Sequence, residues 1–258
     1  MMKSKLTLPL IVIFLCGLMR PALADNQFSL GVEGFRDYYR ESEVWDNTNY
    51  GGINAGYTYT NKGHYFLGVD GRFAYGKDNY TSISDGVSSG SPQYEAEMRL
   101  RGGPIFSLPS GVIQPYTGVG GRFFYDNSNG STTSFGSVGY DRRIGQLYVP
   151  FGVTVHVPLD VWTFSPTLEY DDLIKGWVNS RLQNDGGFNI SNRQYSGYGV
   201  RSEMMFDKNM GKYTLELGPF VRFWDVQDSN TYVAPDASEW DEPHNTRLQI
   251  GFTVRALY

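Results

Sequence analysis

The sequence predicts an all-β protein, a transmembrane antiparallel up-and-down β-barrel of about ten strands. Three observations carry that prediction. Apolar residues recur at every second position through most of the chain, charged residues share the opposite face, and short connections alternate with long ones. Composition agrees. Aromatic residues at 16% and 31 glycines are high, while charged residues at 19% fall below the usual quarter or so. That mixture suits sheet with many turns. A mean hydropathy of -0.37 argues against a bundle of membrane-spanning helices.

Residues 1–24 read as a cleaved signal peptide. Lys3 and Lys5 precede an apolar run from Leu6 to about Met19, and Ala22-Leu23-Ala24 offers an A-x-A cleavage site. The run of about 14 residues is short of the roughly 20 that a spanning helix needs. Leu15 stands before Cys16, where a lipoprotein signal would carry a small residue. Residues 25–258 are then expected to form one exported barrel domain without cysteine, held together by something other than disulfides. Losing Lys3, Lys5 and Arg20 leaves 19 basic against 27 acidic residues, a charge of -8. That balance argues against nucleic acid as a partner.

The strands follow in order. "NQFSLGVEGF" (26–35) opens the series. "GINAGYTYT" sets Ile53, Ala55, Tyr57 and Tyr59 on one face. "HYFLGVDGRFAYG" sets Tyr65, Leu67, Val69, Phe73 and Tyr75 against Asp70 and Arg72. "QYEAEMRLRG" sets Tyr94, Ala96, Met98 and Leu100 against Glu95, Glu97, Arg99 and Arg101. "IQPYTGVGGRFFY" (113–125) carries Arg122, and "QLYVPFGVTVH" (146–156) is apolar at alternate positions. "WTFSPTLEY" (162–170) places Glu169 opposite Leu168 and Tyr170. "SGYGVRSEMMF" sets Val200 and Met204 against Arg201 and Glu203, and "YTLELGPFVRFW" sets Leu217 and Val221 against Glu216 and Arg222. The tail "NTRLQIGFTVRALY" closes the set, with Leu248, Ile250, Phe252, Val254, Ala256 and Tyr258 apolar and Arg247 and Arg255 between them. Period two marks a strand with two unlike faces.

The connections sort by length. "NKGH" (61–64), "SLPSG" (107–111), "VPLD" (157–160) and "DKNMGK" (207–212) are tight turns. Residues 40–50, 78–92, 126–140, 173–194 and 226–244 are expected as long polar loops. Tight periplasmic turns and long extracellular loops are the rhythm of an outer-membrane barrel. Aromatics near strand ends suit its interfacial girdles. A soluble barrel would bury the apolar face, and a membrane barrel would turn it to lipid and the charges to the lumen.

These features resemble the small bacterial outer-membrane barrels of the OmpA/OmpX kind, within the porin-like group of Gram-negative bacteria. "QPYTGVGGRFFYD" (114–126) is similar to their Pro-Tyr-x-Gly-x-Gly-x-Gly stretch, with paired glycines before Arg122. The resemblance implies insertion by the barrel assembly machinery, which reads the last strand. Gly251, Phe252, Val254 and Tyr258 are the residues that would carry this signal, a partial match to the usual pattern.

Inward-facing charges would gather Asp70, Arg72, Glu95, Glu97, Arg99, Arg101, Arg122, Glu169, Arg201, Glu203, Glu216, Arg222, Arg247 and Arg255 in one lumen. Barrels of about eight strands are filled by side chains and open channels need about 16. Such charges must pair or carry a large desolvation cost, so a salt-bridged plug is expected, with a narrow pore as the alternative. The function expected is non-catalytic: a structural or surface-interaction barrel of the outer membrane. The alternatives are an omptin-like protease built around His244, near Asp241 and Glu242, and a passive diffusion porin. Asp171 and Asp172 are adjacent on a strand and so point to opposite faces. Trp45, Tyr232 and Trp240 are candidate loop anchors for a host or phage ligand. Outer-membrane lipid and lipopolysaccharide are the expected surroundings. No cofactor and no metal site is expected, since the loop acids lack an EF-hand order.

Overall fold

Each of the ten alternating segments is a strand, and the strands run well beyond their alternating stretches. In this computed structural model the described residues are 24–182 and 187–258; the expected leader lies outside them except for its last position. The strands are β1 (Ala24–Arg40), β2 (Val44–Asn61), β3 (Tyr65–Ser82), β4 (Gly86–Pro104), β5 (Phe106–Leu108), β6 (Gly111–Asn127), β7 (Asp141–Leu159), β8 (Trp162–Arg181), β9 (Asn189–Gln194), β10 (Gly197–Asn209), β11 (Thr214–Val226), β12 (Tyr232–Val233), β13 (Glu239–Trp240) and β14 (Asn245–Leu257). β5 prolongs β4 along β6, and β9 prolongs β10 along β8. The wall therefore has ten staves, all antiparallel to their neighbours.

The sheet closes between its first and last strands. Val32 pairs with Val254 and Arg36 with Ile250. Beyond β14, Tyr258 N–H donates to the Phe28 carbonyl at 2.8 Å, and Phe28 N–H donates back at 3.0 Å. Closure leaves no open edge, the condition for a sheet to cross hydrocarbon.

The apolar faces point outward. Leu30, Ile53, Leu67, Met98, Leu100, Leu168 and Val254 are exposed, while Glu95, Glu97, Glu169, Arg201 and Arg222 are buried inside. This inversion is stable only where hydrocarbon surrounds the wall. Aromatic belts bound it. Phe28 packs on Tyr57 near the tight turns, with ring centroids 4.9 Å apart, and Tyr213 packs on Tyr258. Toward the other end Tyr75, Tyr94 and Tyr125 form a row, and Tyr170 stacks on Tyr198.

Three of the expected long loops are mostly strand. Residues 41–43 suffice to join β1 to β2 and 83–85 to join β3 to β4, and β8 runs on to Arg181. The sequence missed this because past the aromatic belt the outward face meets water, while the buried inward face carries polar residues such as Thr48, Ser91 and Gln93. Thr, Asn and Ser then continue the ladder without alternating. Among the described residues, 128–140 and 227–244 form the long connections, the second carrying the β12–β13 hairpin.

Inside, glycine makes room for rings. A Cβ on Gly120 would lie 2.2 Å from Cζ of Tyr148, a side chain with no exposed surface. Gly120→Val is expected to lower unfolding stability by about 1–3 kcal/mol through overpacking. Urea unfolding in lipid vesicles checks this, and an unchanged midpoint would contradict the packing.

Candidate functional site

Strand pairing brings inward residues from different staves to one level, and at mid-height six staves (β1, β3, β4, β8, β10 and β11) supply ions. Arg222 on β11 meets Glu33 on β1 at 3.1 Å, and Glu33 meets Arg72 on β3 at 3.1 Å. Arg72 reaches Glu97 on β4 at 2.7 Å and also bonds Glu95. Glu97 meets Arg201 on β10 at 2.7 Å, and Arg201 lies 3.0 Å from Glu169 on β8. Glu169 meets Arg99 at 2.8 Å, and Asp70 joins Arg99 to Arg101, each at 2.7 Å. Signs alternate along this chain, and its five arginines face five carboxylates. It bridges staves that do not touch in the sheet, so it spans the lumen.

Hydroxyls and amides add further bonds to the carboxylates. Tyr148 Oη donates to Glu97 at 2.5 Å and Tyr116 Oη to Glu169 at 2.6 Å. Gln249 Nε2 donates to Asp37 and to Glu95, each at 2.7 Å. A hollow of about 110 Å³ remains toward the tight turns, beside Asn54, Asp70, Arg101, Glu203 and Arg255. It is small against the roughly 300–1,000 Å³ of pockets that hold drug-sized ligands.

The other charges expected in the lumen are buried or half-buried, in separate groups. Arg255 pairs with Glu216 at 2.8 Å and lies 3.6 Å from Glu203, near the tight turns. Arg247 lies 3.7 Å from Asp37 and over the rings of Phe124 and Tyr39. Arg122 departs from the expected charge network. No carboxylate pairs with it among the described residues; it lies over Trp224 at 3.7 Å, lies over Phe124 and bonds Gln146.

No family model matches this chain, and no curated protein matches it. Solved structures do. The outer membrane protease OmpT from Escherichia coli superposes with a TM-score of 0.60 at 10% identity, over 92% of this chain and 97% of that one. The fold is that of an outer-membrane β-barrel. The translocator domain of the autotransporter NalP from Neisseria meningitidis matches at 8% identity and TM-score 0.44, over 88% and 87% of the two chains. The toluene transporter TodX from P. putida matches at 9% identity and TM-score 0.31, over 90% and 89%. Such identities speak for fold alone. The ten staves exceed the eight of OmpA/OmpX-type barrels.

His244 differs from its expected setting. Its Nε2 lies 3.0 Å from Asp225 on β11, and its N–H donates to Asp228. Glu242 instead turns to Arg142, and Asp241 is exposed. Asp171 is buried and Asp172 exposed, on opposite faces of β8. Among the described residues no group of three or more His, Cys, Asp or Glu is placed to hold a metal ion.

Of the loop anchors, Trp45 belongs to β2, half-buried and paired with Arg40 and Thr81. It is a strand residue because the β1–β2 ladder outlasts the membrane belt. Tyr232 faces Trp240 across β12–β13, and the Trp240 ring meets Phe188 edge-on at 6.1 Å. In the last strand Phe252, Val254 and Tyr258 point outward, whereas Gly251 lies against Phe35 and Phe220.

Sequence reasoning missed Glu33, Asp37, Gln146 and Gln249. Glu33 was findable, since it stands in phase opposite Leu30 and Val32 on β1. The ion chain also separates two classes of arginine. Arg201→Met leaves Glu97 with Arg72 and Glu169 with Arg99 as the one remaining arginine of each, and is expected to cost up to about 3–5 kcal/mol. Arg122→Met removes a cation with no carboxylate partner and is expected to leave stability equal or higher. Equal losses in urea unfolding would contradict this distinction.

Proposed function

We propose that the protein is a non-catalytic barrel of the outer membrane whose lumen is shut by its own ion pairs, and which works by presenting its loop end at the cell surface. The observation that carries this reading is the alternating chain from Arg222 to Arg101 across the lumen. In the proposed orientation the tight turns and Tyr258 face the periplasm and residues 128–140 and 227–244 face outward. The aromatic last strand would serve the barrel assembly machinery. Arg143 over Tyr125 and Lys175 beside Tyr195 sit on the outward face, suited to lipopolysaccharide phosphates. A host or phage surface ligand would meet the loops.

Planar bilayers test the closed lumen. The wild-type barrel is expected to give no discrete conductance steps, and Arg201→Ala with Glu97→Ala is expected to open them. Steps from the wild type would favour a narrow pore. For the catalytic alternative, basic fluorogenic peptides are expected to stay intact. Cleavage abolished by His244→Ala would overturn the non-catalytic reading.

A further inference from the structure

A second hollow, of about 200 Å³, lies beyond the plug at the loop end. Three elements enclose it: the β1–β2 turn, the β3–β4 turn and the segment 128–140. Tyr80, Asp126, Ser137, Tyr140 and Arg142 reach into it from these elements and from β3, β6 and β7. We propose that this cup binds a single uncharged sugar ring. The inference rests on the surface-interaction reading and gives it a ligand class.

Size is the first argument. Pockets for drug-sized ligands run to roughly 300–1,000 Å³, so this one suits one ring and excludes an oligosaccharide or an extended peptide. Surface chemistry is the second. Hydroxyls of Ser88, Ser131 and Thr133 share the walls with Val44 and Val138. A sugar ring needs both, with hydroxyl edges to hydrogen-bond and C–H faces to lie on apolar or aromatic surface. Burial holds the Tyr140 phenol above its ordinary range, so it remains a donor.

Charge is the third argument. Glu41, Asp85 and Asp126 stand against Arg142 as the one cation of the lining. Arg142 is already engaged by Glu41 at 2.9 Å and by Glu242. Asp126 accepts from Ser128 at 2.7 Å and has no ion pair among the described residues, leaving a carboxylate to accept from ligand hydroxyls. An anionic sugar would meet uncompensated carboxylates and be rejected.

The cup is also built in advance. Ser137 Oγ donates to Asp85 at 2.9 Å, and Ser134 N–H donates to the Val87 carbonyl at 2.9 Å, tying segment 128–140 to the β3–β4 tip. Within the segment Thr133 N–H donates to Ser137 and Gly139 N–H to Ser131, and Thr132 bridges Val138. A ring entering this cup orders little, which conserves affinity.

The test is titration of the full barrel in a zwitterionic detergent without sugar headgroups, read by saturation-transfer NMR. The probes are glucose, galactose, mannose and N-acetylglucosamine, with glucuronate as the charged control. At least one neutral sugar is expected to saturate and glucuronate is not. Asp126→Asn and Tyr140→Phe are each expected to weaken binding by about tenfold, the effect of one good hydrogen bond. Should either variant fail to show the heat-modifiable migration of the folded barrel, Ser88→Ala, at the cup wall, replaces it. No saturable neutral sugar, equal binding of glucuronate, or affinity indifferent to these variants would overturn the proposal. Bilayer recordings on the same preparation keep the readings apart, because a silent lumen stands whether or not the cup binds sugar.

Discussion

Arg201 and Glu97 meet at the centre of the barrel, 104 residues apart in sequence and with neither side chain appreciably exposed. Around them the wall turns its apolar groups outward, so these ions lie behind a layer of low polarity. Removing such a charge from water costs several kcal/mol, and only close partners with satisfied oxygens offset it. Glu97 accordingly meets Arg72 and Arg201 and accepts from Tyr148. Glu169 meets Arg99 and Arg201 and accepts from Tyr116. Each link constrains two staves, and the chain as a whole holds opposite sides of the wall at one spacing.

The rest of the interior is arranged around that crossbar. Toward the loop end, Tyr148, Trp224, Leu173 and Val226 form a buried cluster, and Phe35 stacks on Tyr50 with centroids 4.9 Å apart. These rings need the side-chain-free backbone at Gly120 and Gly251 to lie flat against the wall. Arg122 shows what happens where no carboxylate is in reach: its guanidinium lies over Trp224 and takes an amide oxygen from Gln146. Aromatic and ionic layers together fill the lumen, as a ten-stave diameter requires.

Much of this was legible in the sequence. Period two located all ten staves, and the phase of each charge against its apolar neighbours gave the face it occupies. Three things escaped. Partnership did, because Arg201 to Glu97 or Arg222 to Glu33 depends on register around the whole barrel and leaves no local spacing to read. Neutral polar residues such as Gln249 did, because an amide in phase with arginines reads as ordinary solvent-facing sequence. The strand extensions carrying Trp45 did, because alternation ends where lipid ends while the backbone ladder continues. The cup at the loop end belongs to the same class, since it joins 41–44, 80–88 and 126–142 by tertiary contacts alone.

The central claim is that the ions of the lumen act as one connected structure. A double-mutant cycle on Glu97→Gln and Arg201→Gln, measured by urea unfolding in lipid vesicles, tests it most directly. Contacting residues in one network couple by about 0.5–3 kcal/mol, whereas independent sites add to within about 0.3–0.5 kcal/mol. A coupling above about 1 kcal/mol is the predicted result, and additivity within about 0.5 kcal/mol would contradict the account.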